Sequence, residues 1–196
     1  KNILKNSLDI ESDNVFKLKL NRKFKLVEKY FESKLNIKEL EIKEVFDDLK
    51  ILLPNINQNI KFENINLNFR QKNQQLKISG KSDYYINSDE KDNIKFSYSK
   101  QKEKENFLVN LTLDKILINF PHLKFKKLEN DAARLKLEGA IFQNNINFNK
   151  IEFINKNNKI LLDNLYLNNL YKILKVEKLF ISLINDNKIK NEILIS

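Results

Sequence analysis

Apolar and polar residues alternate with a period of two along most of this chain, and that alternation limits the fold more than any other feature. Phe16, Leu18 and Leu20 form one such run, and Ile65, Leu67 and Phe69 another. Leu76 and Ile78 continue the pattern, followed by Ile94, Phe96 and Tyr98, then Phe107, Val109, Leu111 and Leu113. Leu135 with Leu137, Ile146 with Phe148, and Leu179 with Ile181 and Leu183 complete it. The intervening residues are Lys, Asn, Ser or Glu. Successive side chains on a strand point to opposite faces, so each run predicts a half-buried strand with one dry and one wet face.

Polar segments such as "RQKNQQ", "SKQKEKEN" and "NKNNK" separate the runs and read as hairpin loops built from Asn, Asp and Lys in place of Gly. Consecutive strands joined by short loops predict an antiparallel meander of about a dozen strands. In three places the phase slips by one residue: between Phe62 and Ile65, between Leu113 and Ile116, and between Leu137 and Ile146. The third slip spans a turn. The first two predict bulges or strand breaks, because a one-residue slip otherwise turns the dry face outward. One helical signature stands out: Val45, Phe46, Leu49, Leu52 and Leu53 share a face, and Pro54 ends it, which predicts a short helix near 45–53. The stretches Phe24–Phe31 and Leu170–Leu179 fit helix and strand equally. No shift in composition marks a boundary, so residues 1–196 are expected to form one continuous segment.

Composition narrows the function classes. Hydrophobic residues make up 41% of the 196, enough for a packed fold. No apolar run approaches the ~18 residues of a membrane-spanning helix, and no signal peptide is present. Cys is absent, which removes disulfides, thiolate metal sites and a Cys nucleophile. Met is absent too, which predicts an internal piece of a longer chain. The net charge of +10 implies attraction to anionic partners, although Lys, Asn and Ile are also the residues that an AT-rich genome favours.

Rare residues gather in "LINFPHLKFKKLENDAARLKLEGA", Leu117–Ala140, which holds the lone His122, Pro121 and Gly139. One His without Cys makes a poor transition-metal site, and a strand corner explains the cluster better, with Pro121 breaking a strand and Gly139 near a strand end. "NSDEKDN", with Asp89, Glu90 and Asp92, lacks the spacing of a calcium loop and reads as a solvated turn. Asp47 and Asp48 are adjacent and point apart on a helix. The triplet at Asn110 lies inside a predicted strand. No phosphate-binding Gly loop or nucleophile elbow occurs, so no catalytic group, cofactor site or metal site is expected.

A sheet of this kind must hide its apolar face under helices, under a second sheet, by closing into a barrel, or by curling around greasy contents. Scarce Gly argues against a tight barrel. Here the chain resembles a known family. Residues 107–154, "FLVNLTLDKILINFPHLKFKKLENDAARLKLEGAIFQNNINFNKIEFI", resemble the AsmA-like envelope proteins, most of all the subgroup with the YhdP and TamB relatives. The matching positions are Asp114, Pro121, Leu123, Phe125, Lys126, Ala132 and Ala133. Upstream, "NIKFENINLNFRQKNQQLKISGKSDYYIN" with Gly80, and "LKILLPNI", also fit, so the likeness covers roughly residues 40–185.

The resemblance implies a long curled antiparallel sheet, a repeating β-groove, in a periplasmic protein anchored in the inner membrane outside this segment. It implies that phospholipid acyl chains rest in the groove, in support of outer-membrane lipid homeostasis. The lining expected on this basis is Ile65, Leu67, Phe69, Leu76, Ile78, Ile94, Phe96, Tyr98, Phe107, Val109, Leu111, Leu113, Leu135, Leu137, Ile146, Phe148, Leu179, Ile181 and Leu183. Two alternatives remain open. One is a structural or adhesive β-sandwich with a closed core. The weaker one is nucleic-acid binding, disfavoured because the Lys residues are spread over every strand and not gathered into a patch.

Overall fold

A computed structural model describes residues 9–43, 53–54, 59–86, 90–184 and 189–196. The alternating runs form one antiparallel sheet of eleven strands. Its strands are β1 (Ile10–Leu20), β2 (Leu26–Lys43), β3 (Asn59–Lys72), β4 (Gln75–Tyr85), β5 (Asp92–Gln101) and β6 (Lys104–Thr112), then β9 (Ala133–Phe142), β10 (Asn145–Asn155), β11 (Asn158–Leu167), β12 (Ile173–Ile184) and β13 (Lys190–Ile195). Between β6 and β9 the chain leaves the sheet for a two-stranded ribbon, β7 (Ile118–Phe120) and β8 (Phe125–Lys127). The order in the sheet follows the chain, and its edges, β1 and β13, do not pair with each other, so the sheet is not a closed barrel.

No α-helix occurs among the described residues, and the helix expected near 45–53 falls almost wholly on residues outside them. The two ambiguous stretches resolve alike. Each begins in a hairpin turn and continues as a strand, β2 or β12.

The phase slips have structural causes. The β3–β4 register shifts between Glu63 and Asn66, and Asn64 takes a left-handed φ of 52°. Asn tolerates that conformation better than most residues. At the second slip β6 ends at Thr112, and the chain turns before β7. A further slip, not foreseen, lies in β10, where the register against β9 shifts between Phe148 and Lys150. Pairing with β11 skips Asn149 and Asn164 together, Asn164 has φ 52°, and its side-chain amide donates to Glu177 on β12 at 2.7 Å. Two bulge lines therefore crease the sheet, one through β2–β3 and one through β10–β12. The strands β4, β5, β6 and β9 between them stay in regular register.

Both glycines lie inside strands. Gly139 is central in β9, not near a strand end as expected, and Gly80 lies within β4, not beyond it. Each sits between two large side chains of its neighbouring strands. A Cβ on Gly80 would stand 2.6 Å from Leu67 Cδ2 and 2.7 Å from Phe96 Cε1. A Cβ on Gly139 would meet Phe107 Cζ at 2.6 Å and also the backbone oxygen of Asn147. The bare backbone lets Phe107 reach over β9 to Phe148, two strands away, with ring centroids 5.5 Å apart in an edge arrangement. Side chains can swing aside at Gly80, whereas the carbonyl at Gly139 is held in the ladder. Gly139→Ala is therefore expected to lower the unfolding free energy by about 1–3 kcal/mol, and Gly80→Ala by clearly less, measured as urea midpoints.

Candidate functional site

Cross-strand register arranges the apolar face into rows. One row runs Leu67, Gly80, Phe96, Val109, Leu137, Ile151, Leu162, Leu179, Ile195, from β3 to β13. The next, toward the β1–β2 turn, runs Phe69, Ile78, Tyr98, Phe107, Gly139, Phe148, Leu165, Val176. On the other side Ile94, Leu111, Leu135, Phe153, Ile160 and Ile181 form a third row, ending at Ile193. The bulges keep all three rows on one face despite the phase slips.

The third row is covered. The segment after β6 folds back, and Leu113, Ile116, Ile118 and Phe125 pack with Tyr84, Ala133, Phe153, Ile181 and Leu183 into the main buried cluster. Phe120, Phe125 and Phe153 contribute mutual ring contacts at 5.9–6.3 Å. The stretch expected to be a corner is thus the lid of the core. Pro121 breaks the chain there as anticipated, opening a 3-10 turn between β7 and β8, and His122 is exposed on it.

Of the residues expected to line a groove, Leu113 lies beyond the end of β6 inside this core, and Ile65, Ile181 and Leu183 are buried. Ile94, Leu111, Leu135 and Leu179 pack against its margin. Leu67, Phe69, Leu76, Ile78, Phe96, Tyr98, Phe107, Val109, Leu137, Ile146 and Phe148 are half-buried beside their strand neighbours. They belong neither to the core cluster nor to its margin.

A polar boundary ends the apolar face near the hairpin turns. Lys100 and Glu105 occupy the dry-face register and form an ion pair at 2.6 Å, and the Tyr98 hydroxyl donates to Glu105 at 2.8 Å. Their parity matches Tyr98 and Phe107, a signal present in the sequence but hidden among charges. Lys100 beside it, with the Tyr98 hydroxyl, holds the Glu105 carboxyl below the usual carboxylate range. On the opposite, wet face, a shallow concavity of about 780 Å³ is walled by Glu32, Arg70, Lys77 and Ser97, and Arg70 pairs with Glu32 at 2.9 Å.

Buried polar groups hold the lid. Asp92, expected in a solvated turn, is only 2% exposed. It opens β5, opposite Tyr84, and its carboxylate accepts from the Thr112 hydroxyl at 3.1 Å and from the amides of Asp114 and Lys115 at 2.9 and 3.0 Å. The burial of Asp92 has a physical reason. The chain turns out of the sheet at Asp114, and the two amides freed from the ladder need an acceptor. Asp114 in turn accepts from the Ala133 amide at 2.8 Å, where β9 rejoins the sheet. The Tyr84 hydroxyl donates to the Thr112 carbonyl, and burial pushes the phenol up.

Lys127 is fully buried and donates to the carbonyls of Asp114 at 2.9 Å and Ile116 at 2.7 Å. Burial pulls its pKa below the usual lysine value, against the opposing pull of Asp92 and Asp114. The described residues contain no group of three or more His, Asp or Glu placed to hold a metal. Comparison with protein-family models, curated proteins and solved structures yields no match.

Removing the Asp92 acceptor leaves two part-buried amides unpaired. Asp92→Ala is expected to cost about 2–4 kcal/mol of unfolding free energy and to speed hydrogen exchange at the Asp114 and Lys115 amides. For Lys127 the folded pKa lies below the unfolded one, so the unfolded chain binds more protons between the two values. The contribution of Lys127 to stability should therefore rise with pH through that window and level off above 10.5, the ordinary lysine value, as read from the difference between the wild type and a variant that lacks it. Lys127→Met should abolish the rise in urea titrations over that range.

Proposed function

We propose that the chain is a segment of a lipid-handling protein, and that its apolar face holds acyl chains. One observation carries this reading. Two adjacent apolar rows cross the sheet, one from β3 to β13 and the other from β3 to β12, and of their residues only Leu179 packs against the covered cluster. The two rows cross nine and eight strands, which at about 4.8 Å per strand is roughly 38 and 34 Å, longer than an extended acyl chain. The bulge lines flank four strands in regular register, and bulges are where sheets bend.

The mechanism is passive. An acyl chain lying along the rows leaves water at about 25 cal/mol per Å² of apolar area, and apart from the Tyr98 hydroxyl, which is bonded to Glu105, the rows carry no polar group to fix its position, so it slides. The boundary at Lys100, Glu105 and Tyr98 marks where a headgroup leaves the dry face. The resemblance to AsmA-like envelope proteins agrees with this reading and adds its setting: a periplasmic, inner-membrane-anchored parent supporting outer-membrane lipid homeostasis, without enzymatic chemistry.

Gently purified protein should carry phospholipid by mass spectrometry, and delipidated protein should bind a fluorescent fatty acid. Val109→Glu places a charge in the middle of the open rows and is expected to weaken that binding about tenfold or more, whereas Ser97→Glu on the wet face is not. Lipid-free spectra together with a concentration-dependent dimer in sedimentation would instead show a face covered by a second copy, and the reading would fail.

A further inference from the structure

The chain builds the same unusual turn twice. In the β1–β2 hairpin the side chain of Asn21 accepts from the amides of Lys23 at 2.9 Å and Lys25 at 3.0 Å, while the Phe24 amide donates to the Asn21 carbonyl at 3.0 Å. In the β11–β12 hairpin Asn168 accepts from Leu170 at 2.9 Å and Lys172 at 3.0 Å, and the Tyr171 amide donates to the Asn168 carbonyl at 3.0 Å. Phe24 and Tyr171 hold the same place, with φ 55° and 58°. This left-handed position normally takes Gly or Asn, and a bulky aromatic there is an outlier. Neither ring gains burial in return: Phe24 is 86% exposed and Tyr171 75%.

The surroundings of each ring point to one kind of partner. Apolar residues flank both tips and are exposed as well, Leu26 and Val27 at one, Leu170 and Leu174 at the other. Cations lie among them: Arg22, Lys23 and Lys25 on the first turn and Lys172 on the second, with Lys175 nearby on β12 in an ion pair with Glu177 at 2.6 Å. Strand alternation through the meander puts both turns at the end of the sheet opposite the lid. Exposed aromatics ringed by Lys and Arg match the interface of an anionic bilayer, where rings settle at headgroup depth and cations meet phosphates.

We infer that these two hairpin tips are membrane-interface anchors that insert Phe24 and Tyr171 into an anionic phospholipid surface. The inference is independent of the acyl-holding face, because the tips lie outside the apolar rows. Each turn is set by its Asn and by backbone amides, so ring and charge substitutions leave its hydrogen bonds in place.

The chain has no Trp, so a single Trp reports on one place. Phe24→Trp and Tyr171→Trp are each mixed with vesicles of phosphatidylglycerol and phosphatidylcholine, and with phosphatidylcholine alone. Leu128→Trp, exposed in the lid at the other end, serves as the reference. Emission of both tip reporters should move to shorter wavelength with the anionic vesicles only, and bromolipids should quench it. Lys23→Glu with Lys25→Glu should raise the lipid concentration for half-maximal change in Phe24→Trp about tenfold or more. Binding of the fluorescent fatty acid should stay unchanged in these variants. Unmoved tip emission, an equal shift in Leu128→Trp, a shift with phosphatidylcholine alone, or competition by a single-stranded oligonucleotide would each overturn the inference.

Discussion

The Asp92 carboxylate is the contact on which the rest of the fold leans. A meander of alternating strands has no internal reason to stop exposing its dry face. Here the chain leaves the sheet after β6, and the cost of leaving is a set of amides without ladder partners. Asp92 accepts two of them together with the Thr112 hydroxyl. Asp114 accepts the Ala133 amide on the way back. With those groups satisfied, the excursion can lay Ile116, Ile118 and Phe125 on the sheet. Lys127 then ties the lid's own carbonyls from beneath.

That arrangement divides the apolar face into two regimes. Under the lid, side chains are buried and mutually packed, and Phe120, Phe125 and Phe153 meet edge to face or stacked. Beyond it the same kinds of residue stand in regular rows, half-buried by their strand neighbours. Packing in the first regime stabilises the fold. The second is apolar surface left over, and that surplus invites an occupant. The same polarity runs from end to end: the lid end satisfies its own polar groups, while the two Asn-initiated turns at the other end hold Phe24 and Tyr171 outward.

Much of this was legible in the sequence. Period two in runs such as Ile94–Tyr98 and Phe107–Leu111 is a local property, so the strands and their order as a meander could be read directly. The slip between Phe62 and Ile65 announced the bulge at Asn64, because only a bulge keeps both runs on one face. The slip in β10 shows in the sequence as the change of parity from Phe148 to Ile151. Asp92 reads as part of a solvated turn because its neighbours are charged, while its partners lie twenty or more residues away on a segment whose position no local pattern records. The role of Gly80 and Gly139, making room for Phe96 and Phe107, exists only between strands and leaves no local signal.

The sequence by itself determined that this chain forms antiparallel strands with one dry face and one wet face, since side-chain alternation is dictated by the pleat. It also placed several hairpin turns, from clusters such as "RQKNQQ" and "NKNNK" and from Pro121, but not the turns at Asn21 and Asn168. Only the tertiary structure decided how much of the dry face is covered. That depends on residues 113–132 folding back across the sheet, which rests on contacts between groups far apart in the chain. The strands belong to short-range geometry, and the lid, with the open rows beside it, belongs to long-range satisfaction of buried polar groups.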